Sequence, residues 1–198
     1  MAQIVLFHSV LGVRQGVLDA ASKLESMGHA VTVPNLYDAG VVFDDYEKAS
    51  KHVESIGGVP ALLERTREAA RFLPQELVYA GFSNGGLSAQ YLAATRPGAL
   101  AAVLFAAGAP LEAFADVGAP IEAWPAGVPV QVHYTVGDPF RDPVEPLQAS
   151  VEAAGGTFEL HEYAGDGHLF TDRTLPREYD EASTELLWQR VEAFLANL

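Results

Sequence analysis

Short apolar runs alternate along the chain with longer segments in which apolar positions recur every three or four residues. The runs are 4–7 (IVLF), 30–33, 77–80 (LVYA), 101–107 (AAVLFAA), 128–136 (VPVQVHYTV) and 157–163 (TFELHEY). A brief, continuous apolar run is what a strand covered on both faces requires. Between the runs, 14–27 carries Val17, Ala21 and Leu24 on one helical face and is stopped by Gly28. Residues 45–55 and 60–73 read as helices, the second with a stripe of Leu62, Thr66, Ala69, Ala70 and Leu73. A helix is predicted over 84–95, ended by Arg96-Pro97-Gly98. Asp142-Pro143 predicts a cap and first-turn proline for a helix that closes at Gly155. A last helix, 179–197, places Leu187, Val191, Phe194, Leu195 and Leu198 on one face. Residues 109–127 mix Ala, Pro and Gly with Phe114 and Trp124 and predict a partly ordered excursion.

This alternation implies an α/β fold: a doubly wound, mainly parallel sheet with helices on both faces, built as one domain over 1–198. In such sheets the crossovers are right-handed and ligands bind at the carboxyl ends of the strands. Residues that carry chemistry are therefore expected just after strands. The elements leave no room for a cap domain, so the site is expected to be shallow and framed by loops 36–46, 109–127 and 169–178.

Composition narrows the function. Twelve Lys and Arg stand against 26 Asp and Glu, a formal charge of −14. Such a surface repels phosphate backbones and anionic lipids, so neither nucleic acid nor membrane is an expected partner. There is no cysteine, which excludes disulfides and thiolate chemistry and fits a reducing cytoplasm. The start, MAQIVLFHSV, lacks a basic region and does not read as a signal peptide. No repeat or linker interrupts the chain, and no feature demands a dimer.

Three residues meet the strand-end expectation. Ser83 lies in Gly81-Phe82-Ser83-Asn84-Gly85-Gly86, after one strand and before a helix. This fits the G-x-S-x-G turn, whose glycines remove side chains that would crowd a strained nucleophile. Asp138 follows the 128–136 run in Thr-Val-Gly-Asp-Pro, and His168 follows the 157–163 run in Gly-Asp-Gly-His-Leu-Phe. The order Ser, Asp, His is that of α/β-hydrolases. A serine hydroxyl needs a base to become nucleophilic, which assigns His168 as base and Asp138 as the group that orients it. The helix starting after Ser83 favours developing negative charge there. The oxyanion donors expected are the amides of Asn84 and of Val10, on the loop after the first strand.

Each residue has a plainer reading: Ser83 as a structural turn, Asp138 as a cap, His168 as incidental. The three together, in order and at three strand ends, outweigh those readings. The remaining histidines give no metal-ligand spacing beyond the cluster His161, Asp166 and His168, so no metal is expected. His133 and His161 lie within strands and read as structural. His8, Ser9 and Tyr37 follow the first two strands and are candidates to touch substrate; His8 could equally brace its loop and Tyr37 simply pack. Trp124 and Phe114 could wall a pocket or cover the sheet.

The sequence resembles the dienelactone hydrolase family. The likeness runs from Leu11-Gly12-Val13 through Gly28-His29-Ala30-Val31-Thr32-Val33-Pro34-Asn35-Leu36-Tyr37, the double-glycine turn at Ser83 and Gly137-Asp138 to Gly167-His168-Leu169-Phe170. The resemblance implies a hydrolase of small esters or lactones without metal or organic cofactor. Many family members have cysteine as nucleophile and a glutamate after the first strand; here the positions hold Ser83 and Ser9. Family enzymes that act on dienelactone hold the substrate carboxylate with arginines, one of them four residues after the catalytic histidine. That position is Asp172 here, with Arg173 beside it, which points to a neutral or cationic ester. The alternatives are acyl transfer or thioester cleavage by the same triad, and a non-catalytic binding protein on a hydrolase fold.

Overall fold

The computed structural model describes residues 1–198. Six strands pair in one sheet: β1 (Gln3–Phe7), β2 (Ala30–Thr32), β3 (Leu77–Phe82), β4 (Ala99–Phe105), β5 (Val130–Thr135) and β6 (Phe158–Tyr163). Their spatial order is β2-β1-β3-β4-β5-β6. Every pairing is parallel, so the sheet is wholly rather than mainly so. The six apolar runs are these six strands. Burial follows position in the sheet: β3 and β5 are buried throughout, whereas the edge strand β6 is mostly half-buried.

Seven helices complete the chain: α1 (Gln15–Ser26), α2 (Tyr46–Ser55), α3 (Gly58–Ala70), α4 (Asn84–Thr95), α5 (Ala113–Asp116), α6 (Glu145–Ala153) and α7 (Glu181–Leu195). Strand side chains alternate between faces, and each face has its own core. Val5, Phe7 and Tyr79 pack with α3, α4 and α6 through Leu63, Leu92 and Leu147. Ile4, Leu6 and Val78 pack with α1 and α7 through Leu24, Leu187 and Val191. Truncating any one of these fully buried leucines to alanine costs about 2–5 kcal/mol.

Three helices differ in their bounds from the sequence expectation: α3 spans Gly58–Ala70, so Leu73 lies beyond it, and α6 and α7 also depart. Helix α6 begins at Glu145 with Val144 as its cap, so Asp142 and Pro143 lie outside it. A helix starting at Pro143 would put Pro146 where the first intrahelical N–H is needed, and proline has none. Starting at Glu145 leaves Pro146 in the first turn, where no bond is lost. Helix α7 ends at Leu195, and Leu198 lies beyond it, 49 % exposed. Within 109–127 only α5 is regular, yet Leu111, Phe114, Ile121 and Trp124 are all buried against the first core.

The chain runs from β1 to β2 on one side, then crosses to β3 on the other. The direction of winding thus reverses between β1 and β3. Adjacent loops diverge at such a point, and a crevice opens at the strand ends.

Candidate active site

The crevice is occupied by the loop after β1 and the turn after β3. Ser83 caps α4 with φ 53° and ψ −123°, a strained backbone for a residue with a Cβ. Close packing holds it there. A Cβ on Gly81 would lie 2.1 Å from the Gly85 carbonyl oxygen, and one on Gly85 would lie 2.3 Å from the His8 carbonyl oxygen. The Gly81 and Gly85 backbones can approach their neighbours only because neither carries a side chain. The Ser83 amide donates to the Phe105 carbonyl (2.8 Å), and its carbonyl receives the amides of Gly86 and Leu87.

The Ser83 hydroxyl lies 2.8 Å from Nε2 of His168. Nδ1 of the same ring lies 2.9 and 2.8 Å from the two carboxylate oxygens of Asp138. A carboxylate only accepts, so Nδ1 carries the proton and Nε2 is left to accept from Ser83. Asp138 and His168 are both buried. Asp138 is fixed by the Phe140 amide, which donates to its Oδ1 (2.8 Å). The loop carrying His168 is tied to the end of β5 through Thr135 Oγ1, which donates to the Gly167 carbonyl (3.1 Å). Glu178 braces the next residue, accepting from the Leu169 amide (2.7 Å) and the Tyr46 hydroxyl (3.0 Å). The sequence reading missed Glu178; its only signal was a carboxylate on the loop after His168.

Val10 and Asn84 both line the cleft beside Ser83, and neither amide donates to an acceptor within the chain. The Val10 amide is aimed by its neighbours. The Ser9 carbonyl, on the same peptide, accepts from His8 Nδ1–H (2.7 Å) and from the Gly12 amide (3.1 Å). In a trans peptide the N–H points opposite to the carbonyl, so fixing one fixes the other. The Val10 carbonyl accepts from the Tyr37 hydroxyl (2.8 Å).

These bonds bear on three residues named as candidates to touch substrate, two of which, His8 and Tyr37, take the bracing and packing roles also open to them. His8, Ser9 and Tyr37 do not line the cleft; they stand one layer behind it. Both His8 nitrogens are engaged, Nδ1 by the Ser9 carbonyl and Nε2 by the Leu36 amide (2.9 Å). Burial lowers the His8 pKa, partly offset by the bond to Ser9, so the ring is neutral. The Ser9 hydroxyl accepts from the Leu11 amide (3.2 Å). The Tyr37 hydroxyl is occupied by Val10, and burial raises its pKa to about 12.

Asp172 is also displaced from its expected place. It is buried, it accepts from Arg14 Nε (3.2 Å) and from the Thr174 amide (2.8 Å), and it does not line the cleft. Its charge is met by Arg14 rather than presented to substrate. Trp124 donates to the Val128 carbonyl (2.8 Å) and Phe114 stacks on Tyr91, both away from Ser83. Of the framing loops expected, only the end of 36–46 reaches the cleft, through Tyr46. His133 is fully buried between Tyr163 and Gln131, and burial pushes its pKa well down. No group of three or more ligating side chains gathers to hold a metal.

The cleft has a volume of about 200 Å³. Its second wall consists of residues the sequence did not assign to the site: Tyr46 and Ser50 from α2, and Phe140 and Asp142 from the loop after β5. Leu87, Ala106, Ala107 and Tyr134 complete the lining. No Lys or Arg lines it. A larger groove, about 770 Å³, runs between α1 and α7 and contains none of the three residues of the Ser83 hydrogen-bond chain.

Comparison with known proteins agrees with this architecture. The model of the dienelactone hydrolase family matches residues 1–198. A dienelactone hydrolase-like promiscuous phosphotriesterase from metagenomic libraries superimposes with a TM-score of 0.78 at 19% identity, covering 100% of this chain and 87% of that one. The dienelactone hydrolase of Anabaena variabilis gives 0.67 at 17% identity, covering 99% and 86%. Esterase 2 of Thermogutta terrifontis, phosphonylated by sarin, gives 0.60 at 18% identity, covering 99% and 83%. No curated protein sequence matches the chain significantly. No helix is long and apolar enough to cross a membrane.

Proposed function

The chain belongs to the dienelactone hydrolase family and is a carboxylic ester hydrolase, and we propose that it cleaves small esters or lactones through an acyl-enzyme on Ser83. The observation that carries this reading is the unbroken chain from Asp138 through His168 to Ser83, with 2.8 Å at both ends.

The steps follow from that chain. His168 Nε2 takes the hydroxyl proton as Ser83 Oγ attacks the ester carbonyl carbon. The carbonyl oxygen becomes an oxyanion and receives the free amides of Val10 and Asn84, the latter at the first turn of α4. Asp138 stabilises the imidazolium and keeps the proton on Nδ1. His168 then gives its proton to the leaving alcohol, the C–O bond breaks, and Ser83 is acylated. Water, deprotonated by His168, repeats the sequence in the deacylation half and releases the acid. The small cleft favours short acyl groups. The absence of Lys and Arg from its lining, together with the presence of Asp142, favours neutral or cationic esters over carboxylated ones. The basis for that preference is Asp142 and not Asp172.

Intact mass after incubation with a small fluorophosphonate tests the nucleophile, with p-nitrophenyl acetate hydrolysis followed in parallel. One adduct on the wild type, none on Ser83→Ala, and a fall in kcat of about 10⁴-fold or more in that variant are expected. Retained turnover in clean Ser83→Ala protein would discard Ser83 as nucleophile.

A further inference from the structure

The second wall of the cleft holds three features that folding alone does not account for. Phe140 is a large apolar side chain left 54 % exposed at the rim. Its ring lies 4.9 Å from that of His168 and 5.5 Å from that of Tyr46, and Tyr46 in turn lies 5.9 Å from His168. Two aromatic rings thus stand against the imidazole, one of them tethered through its hydroxyl to Glu178. Asp142 lines the same cleft, is exposed, and its carboxylate has neither a hydrogen bond nor an ion pair within the chain. Arg141, next to it, is engaged by Glu162 (2.5 Å); its guanidinium lies 5.4 Å from the centroid of the Tyr134 ring but does not itself line the cleft.

We propose that Tyr46, Phe140 and Asp142 form a subsite for a cationic, alkylammonium-type group of the ester. The proposal rests on the reading of Ser83 as nucleophile, because the subsite is defined by its closeness to His168. Aromatic faces attract a cation through their quadrupole, and a free carboxylate beside them adds a full opposite charge. A neutral apolar group would suit the two rings equally but would leave Asp142 without a task. A carboxylated group would meet Asp142, while the nearby Arg141 is already paired with Glu162. The balance of the surroundings is negative: burial first, then the negative charges of Asp142 and Asp138, push the Tyr134 hydroxyl pKa up, with Arg141 opposing them more weakly. Burial and then Glu178, Asp138 and Asp172 do the same to Tyr46. Arg14, the nearest counter-charge to Asp172, is held by it. The net charge of −14 draws cations toward the whole molecule.

The test compares acetylcholine with its uncharged carbon isostere, dimethylbutyl acetate, and with anionic monomethyl succinate. In the wild type, kcat/KM for acetylcholine should exceed that of the isostere by about tenfold, and added salt should shrink the ratio. Monomethyl succinate should be the poorest of the three. Asp142→Asn and Phe140→Ala should each reduce the ratio of cation to isostere by at least about threefold. Binding of tetramethylammonium to the Ser83→Ala protein, followed by NMR, gives a readout independent of turnover. Saturable binding weakened by Asp142→Asn supports the subsite even if Ser83 proves inert to fluorophosphonate, an outcome that would count against the nucleophile alone. Equal rates for acetylcholine and its isostere in a labelled, active enzyme, or no saturable tetramethylammonium binding, would overturn the subsite and leave the hydrolase reading standing.

Discussion

The two walls of the cleft are built in different ways. The wall of Val10, Ser83 and Asn84 is backbone: its working groups are amides and one short hydroxyl, fixed by glycines that admit no Cβ and by buried side chains behind. The wall of Tyr46, Ser50, Phe140 and Asp142 is side chain, drawn from a helix start and a loop, with Ser50, Phe140 and Asp142 exposed. The first has little freedom because each of its bonds holds another in place. The second can change composition without moving the sheet. A reaction common to many substrates belongs on the first wall, and discrimination among substrates belongs on the second.

This contrast can be broken most directly at Gly85. In Gly85→Ala the new methyl carbon would sit 2.3 Å from the His8 carbonyl and 2.5 Å from that of Phe7, both backbone atoms of the central strand region. The expected result is insoluble protein, or folded protein whose fluorophosphonate labelling is slowed by about a thousandfold or more. A Gly85→Ala enzyme with ordinary circular dichroism and ordinary labelling would mean that the first wall is not rigid.

Tyr37→Phe asks a finer question of the same wall. It removes the bond to the Val10 carbonyl and keeps the ring packed on His8 at 4.9 Å. With one bond's worth of positioning lost, kcat should fall about threefold to tenfold while KM changes little. A change confined to KM would place Tyr37 in contact with substrate after all.

The smallest effect expected is on stability in acid. His8 is neutral in the fold because burial holds its pKa below 6.5. As pH falls, the unfolded chain therefore takes up this proton first. The stabilising contribution is complete above about pH 6.5 and is lost below it, at up to ~1.4 kcal/mol per pH unit until the folded value is reached. His133, likewise buried and lowered, adds a loss of the same sign. Urea unfolding near pH 7 and near pH 5 should show this decline, and His8→Gln should show a shallower one. Identical pH slopes in the two proteins would remove His8 from the account.

The backbone wall was legible in the sequence and the side-chain wall was not, for physical reasons. The meeting of Ser83, Asp138 and His168 could be anticipated because residues at the carboxyl ends of neighbouring parallel strands converge, and apolar runs reveal where strands end. The glycines around Ser83 carried further information, since a serine on a strained turn needs them. Val10 and Asn84 followed from chain position alone, as amides are present at every residue but proline. Phe140 and Asp142 also lie just after a strand, but their composition resembles that of any solvent loop. Asp142-Pro143 read as a helix cap, and the competing demand of Pro146 three residues later decided against it. Tyr46 is brought to His168 by the docking of α2, a long-range event that local periodicity does not encode. Asp172 shows the same limit in reverse: its place in the chain suggested substrate contact, and a partner far away in sequence, Arg14, took it out of the cleft.

The bond from the Phe140 amide to Asp138 has an evolutionary consequence. It joins the most exposed aromatic of the second wall to Asp138, the carboxylate bonded to His168, through backbone rather than side chain. Position 140 can therefore drift through nineteen of the amino acids while the backbone bond to Asp138 persists, and proline alone, lacking the N–H, would sever the link. Selection for a new substrate has a site at which to explore, two residues from one at which it cannot.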